Sequence, residues 1–517
     1  MRSGGTPKGR HRRRAFFDES GLPLDRPRNV RAACALTGTP RGHECRRASS
    51  PSSARQRRAT CLPAHSLDEP RRPPHPHAAE RCCSVHVTRH AGMIMPKVDT
   101  SSSVLRPTRN GPTPRPGTAR GERHAFTVGL EEEFFLVDAG RLSSARRVAP
   151  VFFRRAAAAT RGRAKQEFLQ GQIELISGVH TDLGAARREM AELREAVAEV
   201  AEEHGLAVLA AGTHPSADWR RAQQTEASRY DRVMDQLQII GRRDMMCGLH
   251  VHVELPDPGR RIEIMWRMIP HVPLFLALST SSPFWAGMIT GLKGYRLAAY
   301  GELPRTGLPI AFRTEAEYHL YVDAMARAGA IPDATYLWWT IRPSKGLPTL
   351  ELRAPDCCTR LDDAIAIAAL YRVLARHLFR TSAADETTTL TAALAMENLW
   401  RAQRYGVQAG FVTLDGPEPV AAILERVLRQ TADDADALGC AAELDRCRVI
   451  VAEGTSADAQ LAVYERHGQA GHGAGVRAVL QWLRDETIAV RGDLDPAAVA
   501  APPLPPIGDS TTDRNHL

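Results

Sequence analysis

Several short runs along the chain alternate between apolar and polar residues, which is the pattern of strands that pack one face against a hydrophobic core. In the run FTVGLEEEFFLV, the side chains of Phe126, Val128 and Leu130 fall on one face, and those of Glu131 and Glu133 fall on the other. The runs QIELIS, CGLHVHVEL and LPTLELRAP alternate in the same way, and WWTIRPS precedes the last of them as a predicted partner strand. Four predicted strands therefore carry an apolar face and a charged face.

Much of the remaining body has the 3.6-residue period of amphipathic helices. The clearest example spans residues 184–204 and stops at Gly205, a residue type that favours the C-terminal cap of a helix. Further helices are predicted around residues 150–160, 219–244, 262–280, 314–329 and 362–379, and over most of 388–490. The strands come in pairs between helices, without a βαβ rhythm. We therefore predict an α+β fold with a largely antiparallel sheet.

The positive charge of the chain is confined to its N-terminal arm, residues 1–124. The whole chain has a formal net charge of +9, but the arm contains 25 Lys and Arg against 9 Asp and Glu, whereas the remainder contains 43 against 50. The arm also holds 15 of the 35 prolines and has no helical or strand period. Such a segment buries too little apolar surface to offset its chain entropy. We predict disorder for the arm and for residues 493–517, with one folded domain at 125–492.

Three interpretations of the arm stay open. It could be a tail that binds nucleic acid or a membrane surface, or it could be a targeting peptide, although it lacks a clear amphipathic helix and an apolar segment. The third interpretation places the true start at Met93 or Met95, and we favour it because the periodic sequence begins just beyond these methionines. Since the body is acidic and has no motif that reads DNA or RNA, we expect no nucleic-acid partner.

Cysteine usage and hydropathy indicate a reduced compartment without a membrane span. Five of the ten cysteines lie in the arm, and the other five form no CxxC pattern of a zinc or thioredoxin site. A cytoplasmic location is the simplest interpretation. No stretch reaches about 18 uninterrupted apolar residues, which a transmembrane helix requires, so we expect no membrane partner.

The candidate chemistry lies on the charged faces of the four strands. An antiparallel sheet can simply expose a polar face to water. Solvated faces usually mix Lys, Thr, Ser and Gln, however, whereas these faces consist mainly of Glu and His. The side chains concerned are Glu131, Glu133, Glu174, His250, His252, Glu351 and Arg353. Glu167 lies seven residues upstream of Glu174 and is a further candidate.

Clustered carboxylates repel one another unless cations lie between them. Together with an imidazole they suit Mg²⁺ or Mn²⁺, which take oxygen ligands and bridge to phosphates. Three arginines, Arg296, Arg342 and Arg353, suit a carboxylate or phosphate ligand through paired hydrogen bonds. Metal, phosphate and carboxylate together indicate ATP-dependent activation of an acid, although the sequence has no GxxxxGK[ST] loop for ATP.

These segments resemble the glutamate–cysteine ligase type 2 family, bacterial ATP-dependent carboxylate–amine ligases of the glutamine-synthetase-like superfamily. Nine blocks occur in the family's order, and nine in order are highly specific although each alone is weak. The resemblance implies a curved, mainly antiparallel β-sheet funnel flanked by helices, with residues 125–492 as the catalytic domain. The blocks are GLEEEFFLVD, EFLQGQIELISG, AGTHPSADW, CGLHVHVELPD, LALSTSSPFWAG, TGLKGYR, WWTIRPS, TLELRAPD and ENLWRAQRYG.

The resemblance also implies roles for individual residues. His250 and Arg353 would lie near the nucleotide, Arg296 and Arg342 would hold anionic substrate groups, and Arg353 and Arg296 would act in catalysis. The implied metal ligands are Glu131, Glu133, Glu167, Glu174, His250 and Glu351.

The implied reaction is amide formation through an acyl phosphate, with release of ADP and phosphate and with glutamate and cysteine as the reference substrates. The expected cofactors are ATP and Mg²⁺ or Mn²⁺. The expected partners are small molecules, namely an amino acid, an amine and ATP, with a homodimer as a possible assembly. The main alternative is the same scaffold with a different acid and amine. A zinc-dependent hydrolase that uses His250 and His252 is a weaker alternative, because glutamates outnumber histidines.

Four features fall outside these assignments. Glu132 lies on the apolar face of the first strand and is expected to have no catalytic role. Ile289 stands near a position where relatives often have an aspartate, so one substrate contact is left open. The long loop at residues 286–312 is a candidate lid. Trp338 and Trp339 are expected to pack in the core or on the sheet rather than to bind adenine.

Overall fold

The computed structural model describes residues 125–381 and 389–489. The predictions made for residues 1–124 and 493–517 lie outside these ranges. Within the described part of the chain, no helix combines the length and the apolar character that crossing a bilayer requires.

Within residues 125–381 and 389–489, seven strands form one sheet, and four more form two small hairpins. The bounds are β1 (Val128–Asp138), β2 (Ala164–Gln166), β3 (Gln172–Ile176), β4 (Leu206–Leu209), β5 (Leu249–Glu254), β6 (Phe284–Trp285), β7 (Met288–Ile289), β8 (Ile341–Pro343), β9 (Thr349–Leu352), β10 (Gly410–Thr413) and β11 (Gly416–Pro419).

The main sheet is entirely antiparallel and runs in the order β2–β3–β1–β5–β9–β8. The long strand β1 lies near its centre. One edge of β1 pairs with β3, and its other edge is shared by β5 along the first half and β4 along the second half. The prediction of an α+β fold with a mainly antiparallel sheet is therefore confirmed, and the sheet is open rather than closed.

Fifteen α-helices surround the sheet in the described ranges. Their bounds are α1 (Pro150–Ala159), α2 (Leu183–Glu203), α3 (Ser228–Leu237), α4 (Ile239–Arg242), α5 (Arg261–Met268), α6 (Val272–Ser279), α7 (Tyr295–Tyr300), α8 (Glu315–Arg327), α9 (Leu361–Arg380), α10 (Thr389–Tyr405), α11 (Val420–Gln430), α12 (Ala432–Leu438), α13 (Ala441–Glu453), α14 (Ser456–Gly468) and α15 (His472–Ile488). Single 3-10 turns lie at Trp219–Arg221, Pro258–Arg260, Ile269–His271, Ala334–Tyr336 and Gly406–Gln408.

Helix α2 shows how sequence and packing agree. Asp182 caps its start by accepting a hydrogen bond of 2.6 Å from the backbone N–H of Ala185, and Gly205, just past its end, has a φ of +67° that favours glycine. Helices α2 and α9 pack against β1, and together they bury the apolar face of the sheet. The opposite face is thereby left to the charged side chains.

The sequence-based prediction missed short elements in three places. Strand β2 has only three residues, and the β10–β11 hairpin interrupts the region predicted as mostly helical over 388–490. The predicted loop at 286–312 also contains β7 and α7. Each of these elements is too short to give a clear period in the sequence.

Candidate active site

Strand register brings the glutamates of the first two predicted strands together with a histidine of the third. Glu133 of β1 lies directly opposite Glu174 of β3, and Glu131 lies opposite His250 of β5. Directly opposed residues of an antiparallel pair project from the same face. Nδ1 of His250 lies 3.3 Å from a carboxylate oxygen of Glu131, and its Nε2 lies 3.8 Å from one of Glu133.

The same face continues onto β9 and β8, where Glu351 lies between two arginines. Glu351 pairs in register with His252 on one side and with Arg342 on the other. The Arg342 guanidinium donates to both Glu351 carboxylate oxygens, at 2.7 and 3.1 Å. Arg353 donates to one of these oxygens and also, at 3.3 Å, to the hydroxyl of Tyr300. This carboxylate is therefore held rigidly on the face of the sheet.

Two carboxylates of the face are held in the ionised form by cationic or hydrogen-bonding neighbours. Burial alone would raise the pKa of Glu351, but Arg353 and Arg342 outweigh it and place that pKa well below its usual range. Burial is likewise outweighed at Glu131, where hydrogen bonds with His250 and His252 lower the carboxyl pKa.

Three other carboxyl groups have the opposite shift. Burial and the charge of Glu133 raise the pKa of Glu167 to about 8, and burial and Glu167 raise the pKa of Glu174 well above its usual value. Burial and Glu133 raise the pKa of Asp244 to about 7. Near β3, the carboxylates therefore outnumber the positively charged side chains of the described residues. Such an excess of negative charge is typical of a site that binds a cation.

The ligand atoms of seven residues fall into three groups that are compact enough to hold a metal ion, with the atoms of each group within 4.8 Å of one another. These groups include all six metal ligands expected from the sequence, and they add His252, which the sequence left as a weaker candidate. The groups are Glu131, His252 and Glu351; Glu131, Glu174 and His250; and Glu133, Glu167 and Glu174.

Arg296 reaches these carboxylates from helix α7, and one terminal nitrogen of its guanidinium donates to backbone carbonyls. Its side chain is 2% exposed, donates at 3.0 Å to the carbonyl of Pro355, and lies over the ring of Tyr300. A Cβ at Gly248 would come within 2.1 Å of the Arg296 guanidinium, so any larger residue there would displace that side chain. The N–H of Gly248 also donates to Glu133 at 2.6 Å. A single glycine thus lets the arginine lie against the carboxylate face.

A buried network that sequence reasoning missed holds the start of α7. The Ser282 hydroxyl accepts a hydrogen bond of 2.9 Å from the Arg296 backbone N–H and donates one of 2.6 Å to Asp356. Asp356 is fully buried, and burial raises its pKa to about 6. No periodic pattern marks these residues, because they lie in turns between elements.

The charged face lines a cavity of about 380 Å³. The lining includes His250, the three expected arginines and all the expected carboxylates except Glu351. Glu351 does not line the cavity but is hydrogen-bonded to two residues that do, Arg342 and Arg353. The remaining lining residues were not singled out from the sequence, apart from Trp338. They are Phe168, Gln172, Arg229, Tyr230, Val233, Leu237, Asp244, Met246, Tyr300, Leu303, Thr335 and Trp338.

The two tryptophans and the predicted lid have different positions. Trp339 is buried and stacks with Tyr321, as expected for a packing residue, whereas Trp338 lines the cavity. The segment 286–312 contributes Tyr300 and other lining residues, so it forms one wall of the cavity. Its movement as a lid stays a prediction. Ile289 is 47% exposed and does not line the cavity.

Glu132 forms a buried ion pair away from the charged face, in agreement with the expectation that it has no catalytic role. Its carboxylate is fully buried on the apolar face and accepts two hydrogen bonds, at 2.6 and 2.9 Å, from the guanidinium of Arg194 on α2. The polar residue in the apolar pattern of β1 thus marks a buried ion pair.

The chain is similar in sequence to known proteins. A family model described as glutamate-cysteine ligase family 2 matches residues 127–479. A protein of Bradyrhizobium sp. (strain ORS 278), provisionally named glutamate–cysteine ligase 2, is 50% identical over 376 residues, which cover 72% of this chain and 91% of that protein. A protein of Rhodospirillum rubrum with the same provisional name is 43% identical over 377 residues, which cover 71% of this chain and 97% of that one.

Solved structures show the same fold at much lower sequence identity. The glutamate–cysteine ligase of Francisella tularensis, determined in complex with AMP, matches with a TM-score of 0.54 at 12% identity, over 71% of this chain and 89% of that one. A bifunctional glutathione synthetase from Pasteurella multocida matches with a TM-score of 0.55 at 16% identity, over 70% of this chain and 53% of that one. These likenesses show the fold alone.

Proposed function

The chain belongs to the glutamate–cysteine ligase family 2, and from this premise we propose that it is an ATP-dependent ligase joining the carboxylate of an amino acid to an amine. One observation carries the proposal: strand register gathers carboxylates and histidines into three metal-competent groups, and arginines surround them in one cavity. That combination suits a reaction in which phosphate and carboxylate groups must approach each other despite their like charge.

The donor set fits Mg²⁺ or Mn²⁺ better than zinc. Carboxylate oxygens dominate the three groups, and hard divalent cations prefer such oxygens. The Nε2 atoms of His250 and His252 are buried and face carboxylates, at 3.8 Å from Glu133 and 3.3 Å from Glu131, so a cation bound between them could take either nitrogen as a ligand. A divalent ion bound here would neutralise the carboxylates and the phosphate oxygens of ATP.

The arginines of the cavity would bind and orient the anionic groups. Arg353 is oriented by Glu351 and Tyr300, which leaves its buried Nε without a partner among the described residues. We assign Arg353 to the transferring phosphoryl group, where positive charge stabilises the transition state. Arg342 and Arg296 are assigned to the anionic groups of the acid substrate.

A covered site is required by the proposed intermediate, because an acyl phosphate hydrolyses in water. The cavity is walled by α3 on one side and by α7 with the following segment on the other. The hydrolase alternative gains no support, since the family and the named relatives are ligases. We further propose a cytoplasmic location, because the five cysteines of the described residues are free and buried.

The function is tested with the purified full chain, ATP and Mg²⁺. We expect ADP release that requires both glutamate and an amine, measured with a coupled ADP assay over a panel of amines that includes L-cysteine. If ATP and Mg²⁺ bind but no amine gives ADP with glutamate, the panel is repeated with other amino acids as the acid. If ATP does not bind at all, the ligase proposal is wrong.

Metal binding should depend steeply on pH. Because Glu167 has a pKa of about 8, it is largely protonated in the metal-free site at neutral pH, and the raised pKa of Glu174 favours its protonated form too. These two groups hold protons where a metal ion would bind. A metal ion must displace these protons, so the affinity for Mn²⁺ should rise by about tenfold or more between roughly pH 6 and pH 8. Titration calorimetry in two buffers with different ionisation enthalpies would detect the released protons.

The variant Glu167→Gln provides the control, since it removes one of the groups that titrate. Its Mn²⁺ affinity should be lower at high pH and should vary less with pH than that of the native chain. A native affinity that stays constant over this range, without proton release, would contradict the assignment of these glutamates to the metal.

A further inference from the structure

Asp356 is a buried carboxylate outside the cavity that holds a serine against the backbone of Arg296. It lies in the segment after β9, does not line the cavity and belongs to none of the three metal-competent groups. Its Oδ2 atom accepts two hydrogen bonds, of 2.6 Å from the Ser282 hydroxyl and of 3.0 Å from the Ser281 backbone N–H. A carboxylate in this position can act on a substrate only through the groups that it holds.

The Ser282 hydroxyl connects this carboxylate to Arg296 through its two hydrogen-bonding capacities. Its oxygen accepts a hydrogen bond of 2.9 Å from the Arg296 backbone N–H, and its proton goes to Asp356, because an ionised carboxylate can only accept. Ser282 is fully buried, so this hydroxyl lies away from bulk water. The backbone at the start of α7 is thereby held by two consecutive hydrogen bonds that begin at Asp356.

Three segments of the chain hold Asp356 itself in place. A Cβ at Gly212 would come within 2.6 Å of the Asp356 carboxyl carbon, so the backbone of that segment packs directly against the carboxylate. Gly248 forms an antiparallel bridge with Asp356, and the Asp356 backbone N–H donates at 3.2 Å to the hydroxyl of Ser279, at the end of α6. The carboxylate therefore has little freedom to move, and its Oδ2 atom gives Ser282 a fixed acceptor.

Helix α7, which carries Arg296, depends on an external group to hold its first turn. It has only six residues, and Gly294 at its N-cap position has no side chain that could accept from the free N–H groups. Ser282 supplies that acceptor from a distant part of the chain. The guanidinium at the other end of the side chain lies against Gly248, so a small shift of α7 would move it relative to the carboxylate face.

We propose that Ser282 and Asp356 are positioning residues for Arg296. Asp356 orients the Ser282 hydroxyl, and that hydroxyl sets the place of the arginine that binds the acid substrate. This inference rests on the proposed ligase function and gives neither residue a contact with a substrate. It requires that loss of the Ser282 hydroxyl weakens binding of the acid, and that it does so only while the arginine is present. A hydroxyl that merely stabilises the fold would show no such dependence.

The variant Ser282→Ala should raise the KM for L-glutamate, or for the amino acid that replaces it in the panel above, by roughly fivefold to twentyfold, because the start of α7 loses its acceptor. The KM for ATP should change by less than about twofold. The variant Ser282→Cys should give a similar rise, since a thiol fills the space but hydrogen-bonds weakly. It thus separates the loss of the hydrogen bonds from the small cavity that alanine leaves.

Two control variants change the same buried network without freeing Arg296. Ser279→Ala removes the other buried hydroxyl that is bonded to Asp356, but that hydroxyl makes no hydrogen bond to Arg296, so the KM for the acid should stay native. Asp356→Asn can place its carbonyl oxygen where Oδ2 accepts and its amide at Oδ1, which is buried without a hydrogen-bond partner among the described residues. Its KM for the acid should stay within about threefold of native.

A double-mutant cycle with Arg296→Lys tests whether Ser282 acts through the arginine. Lysine keeps the positive charge but loses the paired donors, so Arg296→Lys alone should raise the KM for the acid by roughly thirtyfold or more. Adding Ser282→Ala to Arg296→Lys should raise it by less than about twofold further, because no guanidinium is left to position. Each variant of the full chain is assayed for ADP release with saturating ATP, Mg²⁺ and amine, together with a thermal unfolding curve.

Four results would overturn the inference while the native chain still releases ADP, so that the ligase function stands. The first is the same KM for the acid in Ser282→Ala and Ser279→Ala. The second is an equal effect of Ser282→Ala in the native and Arg296→Lys backgrounds, and the third is a native KM in Arg296→Lys. The fourth is a rise in Asp356→Asn as large as that in Ser282→Ala, which would assign the effect to charge. A native chain that releases no ADP with any acid and amine removes the ligase function and this inference with it.

Discussion

Replacing Glu351 by glutamine is expected to lower kcat for ADP release by about a thousandfold or more, since such preorganised charge near a reacting phosphate often contributes that much. Glu351 lies between Arg342 and Arg353 and belongs to a metal-competent group with Glu131 and His252. Glutamine keeps the shape of the side chain but removes the charge. The substitution therefore disturbs both the metal group and the orientation of two arginines.

The measurement is the steady-state rate of ADP release with saturating ATP, Mg²⁺, acid and amine, together with a thermal unfolding curve. Glu425→Gln provides the matched control, because it also breaks an ion pair between a glutamate and an arginine, Arg448, but lies on α11 outside the cavity. The control should retain native activity. A Glu351→Gln variant that is folded and as active as the control would show that this carboxylate is not part of the catalytic site.

The charged faces could be predicted from the sequence because strand periodicity is local. Alternation over a few residues is enough to show that Glu131 and Glu133 project from one side and that the histidines of β5 do the same. The pairing of Glu133 with Glu174 is different, since it depends on which strands are neighbours and on their register. A local pattern determines neither the order of neighbouring strands nor their register. The prediction that these residues form one site therefore came from the resemblance to a known family.

The residues that sequence reasoning missed lie where no period exists. Asp244 and Ser282 are in connecting segments, and Tyr300 is at the end of a helix of six residues. Their positions follow from tertiary packing, such as the ion bridge from Arg243 to Glu302. Charge type and the resemblance to a known family marked Arg296 as a ligand-binding candidate, but only the structure shows that backbone carbonyls orient it.

Glu132 illustrates a signal that the sequence contained but could not explain. A glutamate among the apolar residues of a central strand must be neutralised, since an unpaired charge there would cost several kcal/mol. Its partner Arg194 lies 62 positions along the chain, on the buried side of an otherwise regular amphipathic helix. The charged residue on the apolar face of the strand, Glu132, and the charged residue on the buried face of the helix, Arg194, therefore form one ion pair.

We therefore expect Arg194→Met to lower the free energy of unfolding by about 3–5 kcal/mol, because it leaves the Glu132 carboxylate buried without a partner. Arg194 is 1% exposed and also donates to the backbone carbonyls of Thr359 and Cys358, at 2.9 and 3.0 Å. It thus joins helix α2 and strand β1 to the segment after β9. Urea denaturation followed by far-ultraviolet circular dichroism gives the free energy of unfolding.

Arg187→Met is the matched control on the same helix, since the ion pair of Arg187 with Asp362 is about half exposed. Its loss should cost no more than about 1 kcal/mol. The double variant Glu132→Leu with Arg194→Met should be more stable than Arg194→Met alone, because it removes the unpaired charge along with the arginine. If Arg194→Met is no less stable than Arg187→Met, the ion pair contributes little. The carboxylate would then have to be neutralised by a proton, and that protonation would appear as a smaller loss of stability at low pH than at neutral pH.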